Sequence, residues 1–365
     1  MSGSVSSMTT RGYDHLVYVR LFEGCNLHCQ HCFIPANPKK MEPQAFSEIP
    51  QVVSGFAKPG DKILLQWHGG EPTLLGPEYL VDAIERIQKN TDYQWVHGIQ
   101  TNLLTYDDRW ADVYRRYFGG EVGVSWDHGI RLLRKGKSES FADFEDAFWP
   151  KFQQLLADGL DPYLVVTMTK PLLDAYQNPV RLLEMLSSKG VKRFHLERLT
   201  PTGEARENWE WLGVSNREWS EYMSRFALAY ARWMQVNAEY PEKHITCSPL
   251  DGIGLSVDRL LAGQTGGYGC LSGVCDTHFH TIDAGGYKRG CTAITAEEPD
   301  NRRAKVIRIV RIKEERQARR FDCQACEFRD ICSAGCLAGD MDDGSGECAG
   351  GAILFSTLKS MRAHR

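Results

Sequence analysis

The sequence predicts an α/β protein: an open, partial (β/α)6 barrel followed by a loop-rich, cysteine-rich C-terminal domain. Three observations carry this. Short β-rich runs alternate with amphipathic helical stretches through the first two-thirds of the chain, and such alternation implies parallel strands with right-handed crossovers. The alternation amounts to six units, too few for an eight-fold barrel. Nine of the 12 cysteines follow Pro241, where regular apolar patterning fades and a domain needs metal staples to fold.

The strand candidates, in order, are His15–Leu21, Lys62–Trp67, Trp95–Thr101, Val122–Ser125, Tyr163–Thr169 and Arg193–Leu199. Val, Ile, Leu and Tyr dominate them, and turn residues bound them. Helices are expected between them at Gln44–Phe56, Pro77–Lys89, Asp107–Phe118, Phe141–Asp158 and Pro179–Lys189, the last stopped by Gly190. A long helix is expected over Asn216–Asn237 and a terminal one over Ala352–Met361. The implied domains are a tail over residues 1–12, a barrel over 13–213, a connecting helix over 214–240, a metal-stapled region over 241–349 and a C-terminal helix over 350–365. The functional face is expected at the carboxyl ends of the strands, where the βα loops gather.

Composition narrows the class. The 365 residues are 42% hydrophobic and 25% charged, with a net charge of −4. This is the make-up of a globular protein, with no bulk electrostatic reason to bind nucleic acid or a membrane. No apolar run is long enough to span a bilayer. The Ser/Thr-rich start lacks the apolar stretch of a secretory signal, so a cytoplasmic location is expected. Twelve cysteines in so long a chain, grouped at tight spacings, read as metal ligands rather than disulfides.

Cys25, Cys29 and Cys32 form a CxxxCxxC motif directly after the first predicted strand. Three thiolates can hold three irons of a cubane [4Fe–4S] cluster. The fourth iron is then open to a small molecule, as open metal sites are. The alternative is a zinc site, which takes four ligands and usually a paired CxxC elsewhere.

This motif, on the first loop of a β/α chain, resembles that of the radical S-adenosylmethionine superfamily, whose core is a TIM-like partial barrel. The resemblance implies that the open iron binds the amino and carboxylate groups of S-adenosylmethionine. One electron from the cluster, fed by an external donor, would then break a C–S bond, giving methionine and a 5′-deoxyadenosyl radical that takes hydrogen from a C–H bond. The second strand runs into Gly69-Gly70-Glu71-Pro72, similar to the family's GGEP motif, which holds the S-adenosylmethionine amino group. Glycines let backbone approach a ligand, and a glutamate can pair with an ammonium; alone, the same residues would read as a turn. Gln100-Thr101-Asn102 resembles QTNG, with Leu103 in place of glycine, and Gly123-Val124-Ser125-Trp126-Asp127 resembles G(V/I)SxDG, with His128 in place of glycine. By that resemblance Ser125 and nearby polar groups contact the ribose and carboxylate. Arg131 is either a carboxylate clamp or a surface helix residue. His31 stands where the family usually has an aromatic residue against the adenine, and His68 at a variable position.

The later cysteines, Cys270, Cys275, Cys291, Cys323, Cys326, Cys332, Cys336 and Cys348, with Gly286 ahead of Cys291, are spaced like those of the SPASM domain. This is an extension of many radical enzymes that modify peptides and proteins. Eight thiolates suit two fully ligated [4Fe–4S] clusters, three clusters in all. The resemblance assigns Cys270, Cys275, Cys291 and Cys336 to the first auxiliary cluster and Cys323, Cys326, Cys332 and Cys348 to the second. A zinc ribbon over Cys323–Cys336 is the alternative. Cys247 is left over and reads as a buried free thiol. The Arg/Lys-rich stretch Arg302–Arg320 is either a solvated basic face or a holder of acidic peptide. Asp340–Gly344 faintly echoes a calcium loop, but its spacing does not fit, so it reads as an ordinary loop.

In layout the chain resembles anaerobic sulfatase-maturating enzymes and their peptide-modifying relatives. Its barrel starts almost at once, so no separate N-terminal peptide-recognition domain is expected. Sulfatase maturases carry an aspartate directly after the third cysteine of the first auxiliary set, and it serves as their base. Here that position is Thr292. The expectation is therefore a maturase of a ribosomally made peptide, forming an oxidative side-chain crosslink. Formylglycine formation, a small-molecule radical reaction and a non-catalytic Fe–S or zinc scaffold are the alternatives. Asp251, Glu197 and Arg198 are candidate substrate-facing residues, equally readable as loop or strand-end structure, and no residue is assigned as the catalytic base.

Overall fold

The computed structural model describes residues 12–34, 38–134, 140–275, 277–296 and 302–363. Most of the expected N-terminal tail lies outside them. Among the described residues the strands are β1 (His15–Phe22), β2 (Leu27–Cys29), β3 (Lys62–Gly69), β4 (Gln94–Thr101), β5 (Glu121–Ser125), β6 (Arg131–Leu133), β7 (Asp161–Met168), β8 (Arg193–Arg198), β9 (Thr246–Ser248), β10 (Phe279–Asp283) and β11 (Gly286–Arg289). The six predicted barrel strands are β1, β3, β4, β5, β7 and β8, and the α/β class with its partial barrel is as predicted. The chain divides into two compact units, Arg11–Val165 with Asp276–Glu297, and Val166–Cys275 with Glu298–Arg365.

In the first unit β1, β3, β4, β5 and the start of β7 pair side by side, all parallel. Period-two alternation sorts their side chains. Val17, Val19, Leu21, Ile63, Leu65, Trp67, Val122 and Val124 are fully buried. Tyr18, Gln66, His68, Gln100 and Ser125, one position out of phase, are partly buried. Helix Asp108–Phe118, capped by the Asp107 side chain, packs on β4 and β5. Residues 277–296, expected to belong to the C-terminal region, instead extend this sheet: β10 pairs parallel with β1, Leu16 opposite Phe279, and β11 turns back along β10. β2 and β6 form a small antiparallel ribbon with Cys29 opposite Arg131.

In the second unit β8 and β9 run parallel, Phe194 opposite Cys247. Helix Asn216–Val236 starts with a capping box of Ser215 and Glu218 and packs against helices Pro179–Ser188 and Ala352–Ala363. Two further helices, Leu250–Leu261 and Arg302–Asp322, stand in the region expected to be loop-rich. Conversely, the single helix expected over Gln44–Phe56 is two short ones, Pro43–Phe46 and Ile49–Val53. Pro50 has no N–H to give and fits only a first turn, so the helix must restart there. No helix among the described residues is long and apolar enough to cross a membrane.

Candidate functional site

β1 ends in the loop carrying Cys25, Cys29 and Cys32, and the ends of β3, β4 and β5 bring up its neighbours. Gly70 N–H donates to Phe22 O (2.8 Å) and Glu71 N–H to Gly24 O (2.9 Å), tying the GGEP turn to the cysteine loop. The glycines serve this contact. Gly69 has φ 143°, and a Cβ on it would fall 2.1 Å from Phe22 O; one on Gly70 would fall 2.4 Å from Gly24 O. The close approach expected between glycine backbone and a ligand is thus made, in this structure, between glycine backbone and the cysteine loop.

Glu71 is 1% exposed. Its Oε1 accepts from Thr73 N–H (3.1 Å), the Thr73 hydroxyl (2.5 Å) and the Thr101 hydroxyl (2.8 Å), and its Oε2 accepts from Asn102 N–H (2.6 Å). The carboxylate expected to face an ammonium is spent on the protein. It fastens the end of β4 to the GGEP turn and so sets the position of Asn102. The Asn102 amide in turn donates to Asn26 Oδ1 (2.7 Å) and approaches Cys25 Sγ (3.7 Å). Leu27 N–H donates to Cys25 Sγ at 3.3 Å. Gln100 donates to Ser125 Oγ at 2.7 Å, so these two predicted contacts meet across β4 and β5.

Arg131 is neither a surface helix residue nor a free clamp. It lies on β6, buried, with Nε donating to Asp127 (2.8 Å), Nη2 paired to the same carboxylate (2.5 Å) and Nη1 at 3.7 Å from Cys29 Sγ. Asp127, which the sequence offered only as part of a motif, also pairs with His31 Nε2 at 3.2 Å. His31 Nδ1 and His68 Nδ1 are buried without a hydrogen-bond partner. His68 stacks on Phe33 (5.9 Å), and burial, then the Arg20 charge, hold it neutral down to about pH 4. His128 lies to the side, 3.8 Å from Glu145.

Burial pushes the Cys25 thiol up to about 11 and Cys29 higher still, against the pull of Leu27 N–H and Arg131 respectively. Such thiols do not ionise alone; a metal displaces their protons. Three thiols on one loop, a buried guanidinium beside one of them, amide donors at another and unpartnered ring nitrogens nearby fit an iron–sulfur cluster with an added polar ligand.

Thr292 follows Cys291. It is buried, its hydroxyl accepts from Arg20 Nε (3.1 Å) and Nη2 (2.8 Å), and its carbonyl accepts from Nη2 (2.8 Å). Arg20, fully buried on β1, had no sequence signal beyond being a charged residue in an apolar strand.

Within the second unit, Cys323, Cys326, Cys332 and Cys348 line one cavity with Phe328, Ala334, Met341, Gly350 and Phe355. Burial and the neighbouring Cys326 and Cys348 push the Cys323 thiol up, and burial takes Cys332 to about 11. Four thiols around one cavity fit a fully ligated cluster. Among the described residues no three His, Cys, Asp or Glu side chains converge closely enough to hold a single ion, whereas each thiolate of a cubane faces a different iron. Of the other auxiliary set, Cys270, Cys275 and Cys336 belong to this unit and Cys291 to the first. Helix Arg302–Asp322 turns Arg316 and Arg319 inward, where Arg319 donates to Cys336 O (2.9 Å) and Gly339 O (2.7 Å); Arg311, Lys313 and Arg320 face solvent.

The candidate substrate residues divide. Arg198 ties itself to Ala349 O (2.7 Å) and Asn216 Oδ1 and lies over the Trp219 ring (4.7 Å), so it is a structural anchor. Asp251 accepts from Cys247 N–H (3.2 Å) and the Tyr230 hydroxyl (3.4 Å). Glu197 stays exposed, 3.0 Å from His195, whose Nδ1 meets Ser248 Oγ at 3.0 Å, and Ser248 meets the Tyr268 hydroxyl at 2.7 Å. Cys247 is fully buried on β9. Asp342 and Asp343 spend carboxylate oxygens on Gly344 N–H, Ser345 N–H and Asn216 N–H, as in an ordinary loop.

Residues 19–148 match the profile of the Radical SAM superfamily. An uncharacterized protein of Synechocystis sp. is 29% identical over 163 residues, 39% of this chain and 39% of its own length. An uncharacterized protein of Archaeoglobus fulgidus is 27% identical over 111 residues, 30% of this chain and 25% of its own. The chain thus spans well under half the length of these relatives. Among solved structures, native anSMEcpe with bound AdoMet and Cp18Cys peptide aligns with TM-score 0.63 at 16% identity, covering 96% of both chains. Streptococcus suis SuiB bound to precursor peptide SuiA aligns with TM-score 0.56 at 12% identity, over 94% of this chain and 76% of that one. At such identities the likeness is one of fold. The matched stretch, residues 19–148, holds the cysteine loop, the GGEP turn and strands β3, β4 and β5, and it is this part of the chain that is similar to the Radical SAM superfamily.

Proposed function

We propose that the protein is a radical SAM maturase that holds a [4Fe–4S] cluster on Cys25, Cys29 and Cys32, reductively cleaves S-adenosylmethionine, and modifies a ribosomally made peptide by oxidative side-chain crosslinking. The observation that carries the first half is the three-thiol loop fastened to the ends of β3 and β4 through Glu71 and Asn102. When bound, the cluster and S-adenosylmethionine supply the radical; the cofactor carries the hard chemistry and the protein positions it. Asn102, Gln100 and Ser125 are the polar groups that would face the nucleoside and carboxylate ends of the ligand. Arg131 would balance thiolate charge at Cys29. His68, neutral and flat against Phe33, would wall the site without adding charge.

A peptide substrate is supported by the eight later cysteines and by folds shared with structures holding peptides. Crosslinking is preferred over formylglycine formation because Thr292, at the position of the sulfatase-maturase base, is engaged by Arg20. Two auxiliary clusters, on the cysteine sets carried over by resemblance, and an external electron donor belong to the same proposal. Anaerobic reconstitution tests it: 5′-deoxyadenosine should form on reduction with S-adenosylmethionine, and iron should approach about 12 atoms per chain. Co-expression with a candidate precursor peptide should remove two hydrogens from that peptide. An unchanged peptide mass with 5′-deoxyadenosine still formed would favour a small-molecule substrate.

A further inference from the structure

We infer that Arg316 is the fixed counter-charge of an auxiliary cluster, donating to the Cys275 sulfur and raising the reduction potential of the group bound there. The inference rests on the reading above that Cys275 ligates iron. Arg316 lies on helix Arg302–Asp322 and is 6% exposed. Its Nη1 donates to Ser333 O (2.6 Å) and Gly335 O (3.1 Å), and its Nη2 donates to Cys275 Sγ at 3.2 Å. Cys275 is itself 3% exposed.

What sets Arg316 apart is the anion it lacks. Among the described residues no carboxylate pairs with it, whereas buried Arg319 has Glu315 at 2.6 Å and buried Arg131 has Asp127 at 2.5 Å. A guanidinium keeps its charge in proteins, and a buried charge without an opposite one is strongly unfavourable. Two of the three acceptors of Arg316 are neutral carbonyls. The third is a sulfur, and only as a thiolate does it bring the missing negative charge. Metal ligation is what fixes a buried cysteine in that form. The Nε of Arg316 is buried with no partner, a cost that its remaining contacts must offset.

The consequence is electrostatic. Reduction adds a negative charge to a cluster, and a cation held at its ligand favours the more negative state. Hydrogen bonds to cluster sulfurs act in the same direction. Arg316 therefore makes this site the better electron acceptor, which is what the loss of a second electron from a substrate requires. It also ties Cys275 to the Ser333–Gly335 turn, which leads into Cys336, so it is a positioning residue as well as a charge.

The test is a potentiometric titration of the anaerobically reconstituted full chain, read by electron paramagnetic resonance, for the wild type, Arg316→Gln and Arg316→Lys. The expected result is a downward shift of one midpoint in Arg316→Gln, the other midpoints unmoved, and a smaller shift in Arg316→Lys. Loss of about four irons in Arg316→Gln that Arg316→Lys restores, with unchanged thermal unfolding, also supports the counter-charge. Unmoved midpoints at full iron content, an upward shift, or an iron loss that Arg316→Lys fails to restore would overturn it. A wild-type chain holding only about four irons would instead refute the auxiliary clusters themselves, a failure separable from that of Arg316.

Discussion

The cysteine loop after β1 and the cysteine cavity of the second unit are built to opposite plans. The loop offers three thiols, and around them stand polar atoms with capacity to spare, including two buried ring nitrogens without partners. The cavity offers four thiols, with Phe328, Phe355 and Ala334 filling its walls. There the backbone itself closes in: a Cβ on Gly350 would fall 2.7 Å from Cys332 Sγ. A site that must admit a ligand stops one thiol short and leaves hydrogen-bonding groups unpaired. A site that only has to hold its cluster completes the thiol set and excludes everything else.

The largest effects should come from removing each set of thiols. Replacing Cys25, Cys29 and Cys32 together by Ala should abolish 5′-deoxyadenosine formation while about eight irons per chain remain. Replacing Cys323, Cys326, Cys332 and Cys348 by Ser should remove about four irons and leave S-adenosylmethionine cleavage measurable, provided the chain stays folded by circular dichroism. If the second variant loses cleavage while keeping its fold, the two cysteine sites do not work independently.

The next effect falls on Glu71, the hub of the open site. Glu71→Gln replaces one acceptor oxygen by a donor among four donors, so at least one buried N–H or O–H loses its partner. The expected cost is about 1–3 kcal/mol in urea unfolding, with weaker S-adenosylmethionine binding because Asn102 is released. A variant as stable as the parent would mean that the carboxylate is free for a ligand after all, as the GGEP resemblance first suggested.

That disagreement over Glu71 shows where sequence reading works and where it stops. Spacing along one strand or loop is local, so the six barrel strands, the CxxxCxxC loop and the motif at each strand end could be read directly. Whether a side chain faces a ligand or a neighbouring strand depends on pairing between segments 31 residues apart, as for Glu71 and Asn102. Arg131 needed the pairing of β6 with β2, and Arg20 needed β10 beside β1. Helix Arg302–Asp322 was hidden for a different reason: in its second half the buried positions 316 and 319 are arginines, so an apolar-periodicity reading breaks off there. Those arginines are drawn in by carbonyls and a thiol that lie far away in the chain.

A smaller effect separates the two regions by pH. His68 belongs to the open site, and its folded pKa of about 4 lies below the ordinary 6.5 because of burial and then the Arg20 charge. Between those values the unfolded chain binds the extra proton and the folded chain does not. The His68 contribution to stability is therefore complete above pH 6.5 and is lost as pH falls toward 4. His68→Phe keeps a flat ring against Phe33 and removes the titration, so its stability should fall less steeply over that window. Equal slopes for parent and variant would show that His68 is not buried as described.

The smallest expected effect is also the most pointed. Thr292→Asp restores the residue type that serves as base in sulfatase maturases, yet it should confer no formylglycine formation on a cysteine-containing peptide, read by mass. The reason lies on β1. Arg20 donates twice to the Thr292 hydroxyl and once to its carbonyl. Its Nη1 is buried without a hydrogen-bond partner, 3.8 Å from Glu23 and 3.9 Å from Asp283. A carboxylate introduced at position 292 would be captured by that guanidinium, and an ion-paired carboxylate is a weaker base than a free one. The variant should therefore be slightly more stable than the parent and no more reactive. If it instead makes formylglycine, Arg20 does not hold position 292, and the base was missing only because threonine stood in its place.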